Sequence, residues 1–311
     1  MQKDASIAIT GASGLVGKSL VALLRAEGFT QIHEMNQTTC DLTNRQATLA
    51  YFDAVKPDYI FHLAAYIFGV MGNMRNQSES YLRNLLMNTH VVEASQRVAV
   101  KKITAMGTGA VYPYPPPGDP LSENMIWMGK PHDAQRGYAY SKRAMLAHLD
   151  INQENHGINY AFVVSSNLYG PHDRFNTEVG QVVPSLIRKF YEAKQTGKKI
   201  SVWGNGSAQR DFMYVKDTAR ALRLIMDTID GPVNLGSNHV HSIRDVVTHL
   251  ATYTGQEDKV EWDASKPNGQ PYRGYDLSKL QQAGFQSAFS LEQGLRETYD
   301  WYAENEAIAR K

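Results

Sequence analysis

Short apolar runs rich in β-branched and aromatic residues alternate with amphipathic stretches through the first half of the chain. The first pair is SIAIT at 6–10 followed by GKSLVALLRAE at 17–27, where Leu20, Val21, Leu23 and Leu24 share one helical face and Gly28 closes the run. The rhythm continues with a helix ended by Pro57, a strand from Tyr59 to Ala64 and a helix at about 80–97. A strand from Ile103 to Met106, another helix and a strand from Tyr160 to Ser165 follow. Strands this short and apolar suit burial on both faces, and strand–helix alternation builds a parallel sheet. The expected class is α/β.

From about Asn167 the spacing loosens, and Gly, Pro and aromatic residues cluster in NLYGPHDRF, VWGNGSAQRDF and DASKPNGQPYRGYD. These read as long ordered binding loops of a second, substrate-facing lobe. At ~150 residues per domain, 311 residues suit two units or one large unit with an appended lobe. The expected division is a dinucleotide-binding domain over 1–165 and a smaller C-terminal α/β substrate lobe over 166–311. Lys216 to Asp227 looks helical and Pro232 to Leu235 looks like a buried strand, so segments near 205–240 are expected to return to the first domain. The proline-rich YPYPPP at 112–117 predicts a stiff extended loop.

Composition removes several classes. There are 32 Lys plus Arg against 31 Asp plus Glu, so no broad basic face for nucleic acid is expected. The single cysteine, Cys40, cannot form an internal disulfide. No apolar run reaches about 18 residues and no signal-peptide pattern opens the chain, so a cytoplasmic protein with no membrane partner is expected.

Directly after the first strand comes Gly11-Ala12-Ser13-Gly14-Leu15-Val16-Gly17, a GxxGxxG spacing that opens the first helix. Glycines there permit a tight turn, close approach of a pyrophosphate to backbone N–H groups, and close helix-to-strand packing. The expectation is a Rossmann-type doubly wound sheet with Gly11, Ser13, Gly14, Leu15, Val16 and Gly17 around a nicotinamide dinucleotide. The second strand region, QIHEMNQ at 31–37, has Glu34 slightly early for a ribose contact and no Arg for a 2'-phosphate, which leaves NADH and NADPH both open. Asp41 and Leu42 could touch the adenine; equally, Asp41 could cap the helix that starts near Asn44.

Two Tyr-x-x-x-Lys sequences occur, Tyr138 to Lys142 and Tyr275 to Lys279, and with 17 tyrosines the spacing alone carries no weight. Context favours the first. Tyr138 begins a helical run, so phenol and ammonium share a face, and Thr108 follows a strand end thirty residues earlier. Tyr275 lies in a polar segment with no such partner. A phenol has a pKa near ~10, and a nearby ammonium is expected to lower it; Thr108 can hold a substrate oxygen against the phenol while hydride moves to or from a nicotinamide.

With these elements the chain resembles the extended short-chain dehydrogenase/reductases of nucleotide sugars, and among them the GDP-L-fucose synthases. The resemblance spans nearly the whole chain and includes Asn167-Leu168-Tyr169-Gly170-Pro171-His172-Asp173, Val182-Val183-Pro184, Val202-Trp203-Gly204-Asn205-Gly206, Arg210-Asp211-Phe212 and Asp263 to Gly269. It implies a GDP-linked sugar bound by Asn167, Arg188, Val202, Trp203, Arg210 and Lys266, with Trp203 stacked on the base and Arg210 and Lys266 on phosphates. It also implies cofactor contacts from Leu63, Ala64, Ala65 and Lys142, catalysis by Thr108, Tyr138 and Lys142, and a homodimer. Leu85, Leu86, Val91 and Val92 could serve that dimer or the subunit's own core.

Departures from the family pattern change the expected chemistry. A cysteine two residues after the position of Thr108 and a histidine a few residues before Val-x-Pro invert carbons 3 and 5 in the family; at those positions this chain has Ala110 and Gln181. Neither carries a proton as required. The basic residues for a 2'-phosphate are replaced by Ser13 and the Asn36 region, with Asn36 itself a cofactor contact. Gly109 and Ala110 also lack the acid pair of sugar 4,6-dehydratases. The expectation is an NAD(P)H-dependent C4-keto reductase of a GDP-4-keto-6-deoxy sugar, hexose or heptose, without C3/C5 epimerase activity. A nucleotide-sugar 4-epimerase with tightly bound NAD and a non-catalytic dinucleotide sensor are the alternatives. His239 and His241 alternate on one strand face, but no further ligand completes a set, so no metal is expected.

Overall fold

The computed structural model describes every residue except Phe68, Gly69, Val179 and Pro267, with only the backbone of Val70 and Met71. The first half builds β1 (Ile7–Thr10), α1 (Leu15–Ala26), β2 (Ile32–Met35), α2 (Arg45–Val55), β3 (Tyr59–His62), α3 (Val70–Arg75), α4 (Gln77–Arg97), β4 (Lys102–Met106), α5 (Arg136–His156) and β5 (Asn159–Ser165). Alternation along these strands explains the layers. Ile7, Ile9, Phe61, Ala161 and Val163 face Leu20, Val21 and Leu24 of α1 in one core. Ala8, Ile60, Tyr160, Phe162 and Val164 face Phe52 of α2, Val91 and Val92 of α4, and Leu146 of α5 in another. A sheet whose residues are buried on both faces must be covered on both, which is the doubly wound arrangement.

The second half adds β6 (Asn167–Tyr169), α6 (Val182–Thr196), β7 (Ile200–Trp203), β8 (Gln209–Tyr214), α7 (Val215–Thr228), β9 (Gly231–Leu235), β10 (Val240–Ser242), α8 (Ile243–Thr254), β11 (Val260–Asp263), β12 (Tyr272–Arg273), α9 (Ser278–Gln282) and α10 (Leu291–Asn305). The main sheet runs β2-β1-β3-β4-β5-β9, all parallel. Strand order reverses between β1 and β3, which opens a crevice beyond their carboxyl ends.

Three segments expected as loops contain strands instead. β6, β8, β10 and β12 form a small mixed sheet, and β7 pairs with β11. Pieces of two to six residues interrupted by Gly and Asn show little periodicity, and their pairing is fixed by distant partners, as in Arg273 against Arg210. Phe212, Tyr214, Phe190, Val246, Leu295 and Tyr299 pack this lobe's own core under α6, α8 and α10.

Candidate functional site

The crevice between β1 and β3 widens into a cleft of about 360 Å³ that runs toward the second lobe. Gly11, Gly14, Leu15, Val16 and Gly17 form its near wall. Gly11 has φ +69°, and a Cβ there would sit 2.9 Å from the Ala64 nitrogen; a Cβ on Gly17 would sit 2.3 Å from the Gly11 carbonyl oxygen. The turn therefore accepts only glycine at both positions, and Gly14 serves as the N-cap of α1 without a side chain. The positive end of the helix dipole opens onto a surface cleared of side chains, which fits a pyrophosphate.

Thr108 lies just beyond β4 and lines the cleft with Tyr138. Its Oγ1 accepts a hydrogen bond from Ala110 N at 3.2 Å and so shapes the turn over Gly109 and Ala110. Tyr138 and Lys142 occupy one face of α5. Close approach of α4 holds that helix in place: a Cβ on Gly137 would fall 2.3 Å from the Gln77 carbonyl oxygen. Arg143 fastens α5 to the Thr108 turn, donating to the carbonyls of Val111 and Gly129, each at 2.8 Å.

Lys142 is buried, and its Nζ has no hydrogen-bond partner among the described residues; it lies 5.9 Å from the centre of the Tyr138 ring. An unpartnered buried ammonium is costly, and burial pushes its pKa down to about 7. Burial also raises the Tyr138 phenol, so the expected lowering of the phenol by the ammonium is not found. At this separation, withdrawal from water outweighs attraction. Beneath the pair, His62 bridges Thr10 Oγ1 at 2.8 Å and Asn88 Oδ1 at 3.0 Å, and Asn88 Nδ2 donates to the Ser141 carbonyl. Burial, with the Lys142 charge second, pushes His62 down to about 3, so it is neutral at ordinary pH.

Ala110, Gln181, Asp173, Arg174 and Arg310 continue the lining. Asp173 is buried; its Oδ1 accepts from Arg174 N, its Oδ2 has no partner among the described residues, and burial raises it to about 7. Arg310 reaches the cleft because its carbonyl accepts from Phe175 N at 2.7 Å and its guanidinium donates to the His172 carbonyl. His172 itself packs against Trp301, 4.5 Å between ring centres.

Of the residues expected at a site, Gly11, Gly14, Leu15, Val16, Gly17, Leu63, Ala65, Thr108, Tyr138 and Asn167 line the cleft together. Lys142 is buried beside Tyr138. Ser13, Asn36, Asp41, Leu42, Ala64, Arg188, Val202, Trp203, Arg210 and Lys266 are not part of its lining. Asn36 Oδ1 is engaged by Thr38 and Thr39, and Asp41 closes a turn with Thr43 rather than capping α2, which Asn44 caps. Arg188 pairs with Glu192 and the Phe175 carbonyl. Trp203 is exposed, with Lys266 Nζ 5.8 Å from its ring, and Pro267 of the adjoining run lies outside the described residues. Val91 and Val92 point into the subunit's own core. No group of three metal-ligating side chains occurs among the described residues.

Tyr275 is a correction. It is not an isolated residue of a polar segment: it is buried and lines the cleft with Arg273. Arg273 stands beside Arg210 across the β8–β12 pairing, and neither is in an ion pair among the described residues. Burial and the neighbouring Arg273 push Arg210 down to about 10. Two adjacent guanidiniums without a carboxylate form a natural seat for a diphosphate. No periodicity could have joined Arg210, Arg273 and Tyr275, because strand pairing brings them together.

A glycine-lined helix terminus at a sheet reversal, with a buried Tyr-Lys pair beside it, defines an NAD(P)-dependent oxidoreductase of the short-chain dehydrogenase/reductase type. Residues 7–236 match the NAD dependent epimerase/dehydratase family, and the chain belongs to it. It is 34% identical over 313 residues to "Probable GDP-L-fucose synthase 1" of Oryza sativa subsp. japonica, covering 99% of this chain and 95% of that protein. A GDP-L-fucose synthetase from Naegleria fowleri bound to NADP has a TM-score of 0.92 at 29% identity, covering 100% of this chain and 96% of that one. The GDP-mannoheptose C4 reductase MlghC from Campylobacter jejuni, also with NADP bound, gives 0.87 at 27%, with 97% and 99% covered. The cofactor is accordingly a nicotinamide dinucleotide, and the glycine wall and the unpartnered Lys142 ammonium fit one.

Proposed function

We propose that this enzyme reduces the C4 ketone of a GDP-linked 4-keto-6-deoxy sugar, hexose or heptose, without inverting carbons 3 or 5. The observation that carries the reading is the composition of one cleft: Thr108 and Tyr138 stand beside Ala110 and Gln181, so the groups for ketone reduction are present while neither position that would hold the inverting cysteine and histidine carries a titratable side chain. The similarity to proteins named for GDP-sugar chemistry supports the nucleotide sugar. Bound NADPH or NADH would supply hydride to carbon 4. Thr108 Oγ1 would hold the ketone oxygen, and Tyr138 would give that oxygen its proton as the alcohol forms. Raised by burial, the phenol enters the reaction protonated, the state that reduction uses. Lys142 would donate to a ribose hydroxyl of the cofactor and stabilise the phenolate left behind. Arg210 and Arg273 would hold the diphosphate.

In the same reading residues 1–165 with the segments near 205–240 bind the cofactor and 166–311 bind the nucleotide sugar. Two copies would pair through α4 and α5, where Tyr81, Leu82, Tyr140 and Ile151 are exposed.

The test offers GDP-4-keto-6-deoxymannose with NADPH or NADH in heavy water. Cofactor oxidation with no deuterium at carbons 3 and 5 is expected. Deuterium at either carbon overturns the loss of epimerisation, and no oxidation with either cofactor removes the reductase reading for this substrate. Turnover of a GDP-hexose without added cofactor would indicate a 4-epimerase instead.

A further inference from the structure

The cleft lined by Tyr138 contains a second phenol. Tyr275 follows β12, and the backbone on either side of it is pinned to Leu121: Leu121 N donates to the Gly274 carbonyl at 3.1 Å, and Asp276 N to the Leu121 carbonyl at 2.9 Å. The ring lies 6.1 Å from that of Tyr112, whose hydroxyl is itself anchored on Asn234 Oδ1 at 2.6 Å. The Tyr275 hydroxyl occupies the space a side chain at position 109 would need: a Cβ on Gly109 would sit 2.1 Å from it. Gly109 has an extended N-cap neighbour in Thr108 and no positive φ, so its glycine is explained by this contact and not by backbone strain. Residues 109 and 275 are a matched pair, far apart in sequence.

We propose that Tyr275 is a specificity-determining residue whose hydroxyl hydrogen-bonds a hydroxyl of the sugar ring, between the reacting carbonyl and the diphosphate. The inference rests on the nucleotide-sugar reading above and adds a residue to it. Position carries the argument. The Tyr275 hydroxyl stands against Gly109 in the turn that bears Thr108, and Arg273, the neighbour of Arg210, lines the same cleft two residues earlier. Thr108, Tyr138, Tyr275 and Arg273 line one cleft, so a substrate with its ketone at the first two and its diphosphate reaching Arg273 would pass its sugar beside Tyr275. Burial raises this phenol despite both guanidiniums, so it stays a neutral donor and acceptor. It can orient the sugar at the wall formed by Gly109 and Ala110 without taking a proton from carbon.

The experiment measures binding of GDP-mannose and of GDP to wild type and to Tyr275→Phe by calorimetry. The variant keeps the ring and its packing. GDP-mannose affinity should fall roughly three- to ten-fold, the range for one lost hydrogen bond, while GDP affinity stays within two-fold. Gly109→Ala should produce the same selective loss by displacing the phenol, and should add little in the Tyr275→Phe background. Unchanged GDP-mannose affinity overturns the proposal, as does an equal loss for both ligands, which would mean that Tyr275 acts only through Arg273. If wild type binds GDP-mannose with the predicted dependence on Tyr275 but fails to reduce the keto sugar, the reductase reading falls and the sugar contact stands. If wild type binds neither ligand, both fall.

Discussion

Lys142 Nζ lies 5.9 Å from the ring centre of Tyr138 and has no hydrogen-bond partner among the described residues. The pair is held ready for a third party that carries hydroxyl groups. Tyr138→Phe should lower turnover by ~10²-fold or more while sparing cofactor affinity, because it removes only the proton donor. Steady-state rates and a cofactor titration check both halves, and unchanged turnover would move the role elsewhere.

The same buried ammonium predicts a pH signature. Lys142 is pushed down to about 7 in the folded state against an ordinary 10.5, so the unfolded chain binds more protons between those values and folding stability rises with pH across that window. Below about 7 the native protein bears the whole cost of the charge. Lys142→Met should therefore raise Tm most near pH 6, with the gain shrinking toward pH 10.5, and should abolish turnover. Thermal denaturation across this range, without cofactor, is the measurement.

Asp173 predicts the opposite trend. Its carboxyl is raised to about 7 from an ordinary 3.8, so stability is lost as pH rises through that interval. Asp173→Asn retains an oxygen for Arg174 N. It should stabilise the protein above pH 7 and leave it unchanged below about 4. A variant equally stable at both ends would show that the carboxyl is not buried as described.

Gly17→Ala would drive a methyl group to 2.3 Å from the Gly11 carbonyl oxygen. Overpacking against backbone should cost about 1–3 kcal/mol and distort the helix terminus. Chemical denaturation should report the first effect, and loss of cofactor binding the second.

Neutralising Arg273 by Arg273→Gln should raise KM for the nucleotide sugar several-fold while leaving kcat within about two-fold. The KM of wild type should climb with added salt more steeply than that of the variant, because a guanidinium–phosphate contact is screened. Kinetics at two ionic strengths separate this role from a structural one.

Local chemistry made the first half legible. A glycine spacing next to a strand, and a phenol one turn from an ammonium, are set by neighbours in sequence, and they meet in the cleft once the sheet forms. The second lobe was less legible for a physical reason. Its strands are too short for periodicity to emerge, and Arg273 acquires its meaning from alignment with Arg210. The polar segment around Tyr275 carries no signal of its own; the feature that explains it is a missing side chain at Gly109, 166 positions earlier in the chain. Trp203 shows the converse: a resemblance identified it, while its place outside the cleft lining emerged only from the fold.

Gly11 and Arg310 border the same cleft, one from the first strand turn and the other from beyond α10. Their shared boundary makes occupancy a property of the entire chain. A ligand seated there stabilises only conformers in which both walls are assembled, so saturation should raise the unfolding temperature of the two lobes together. Binding thus acts as a clasp between distant parts of the polypeptide, and resistance to proteolysis at either end becomes a gauge of what fills the middle.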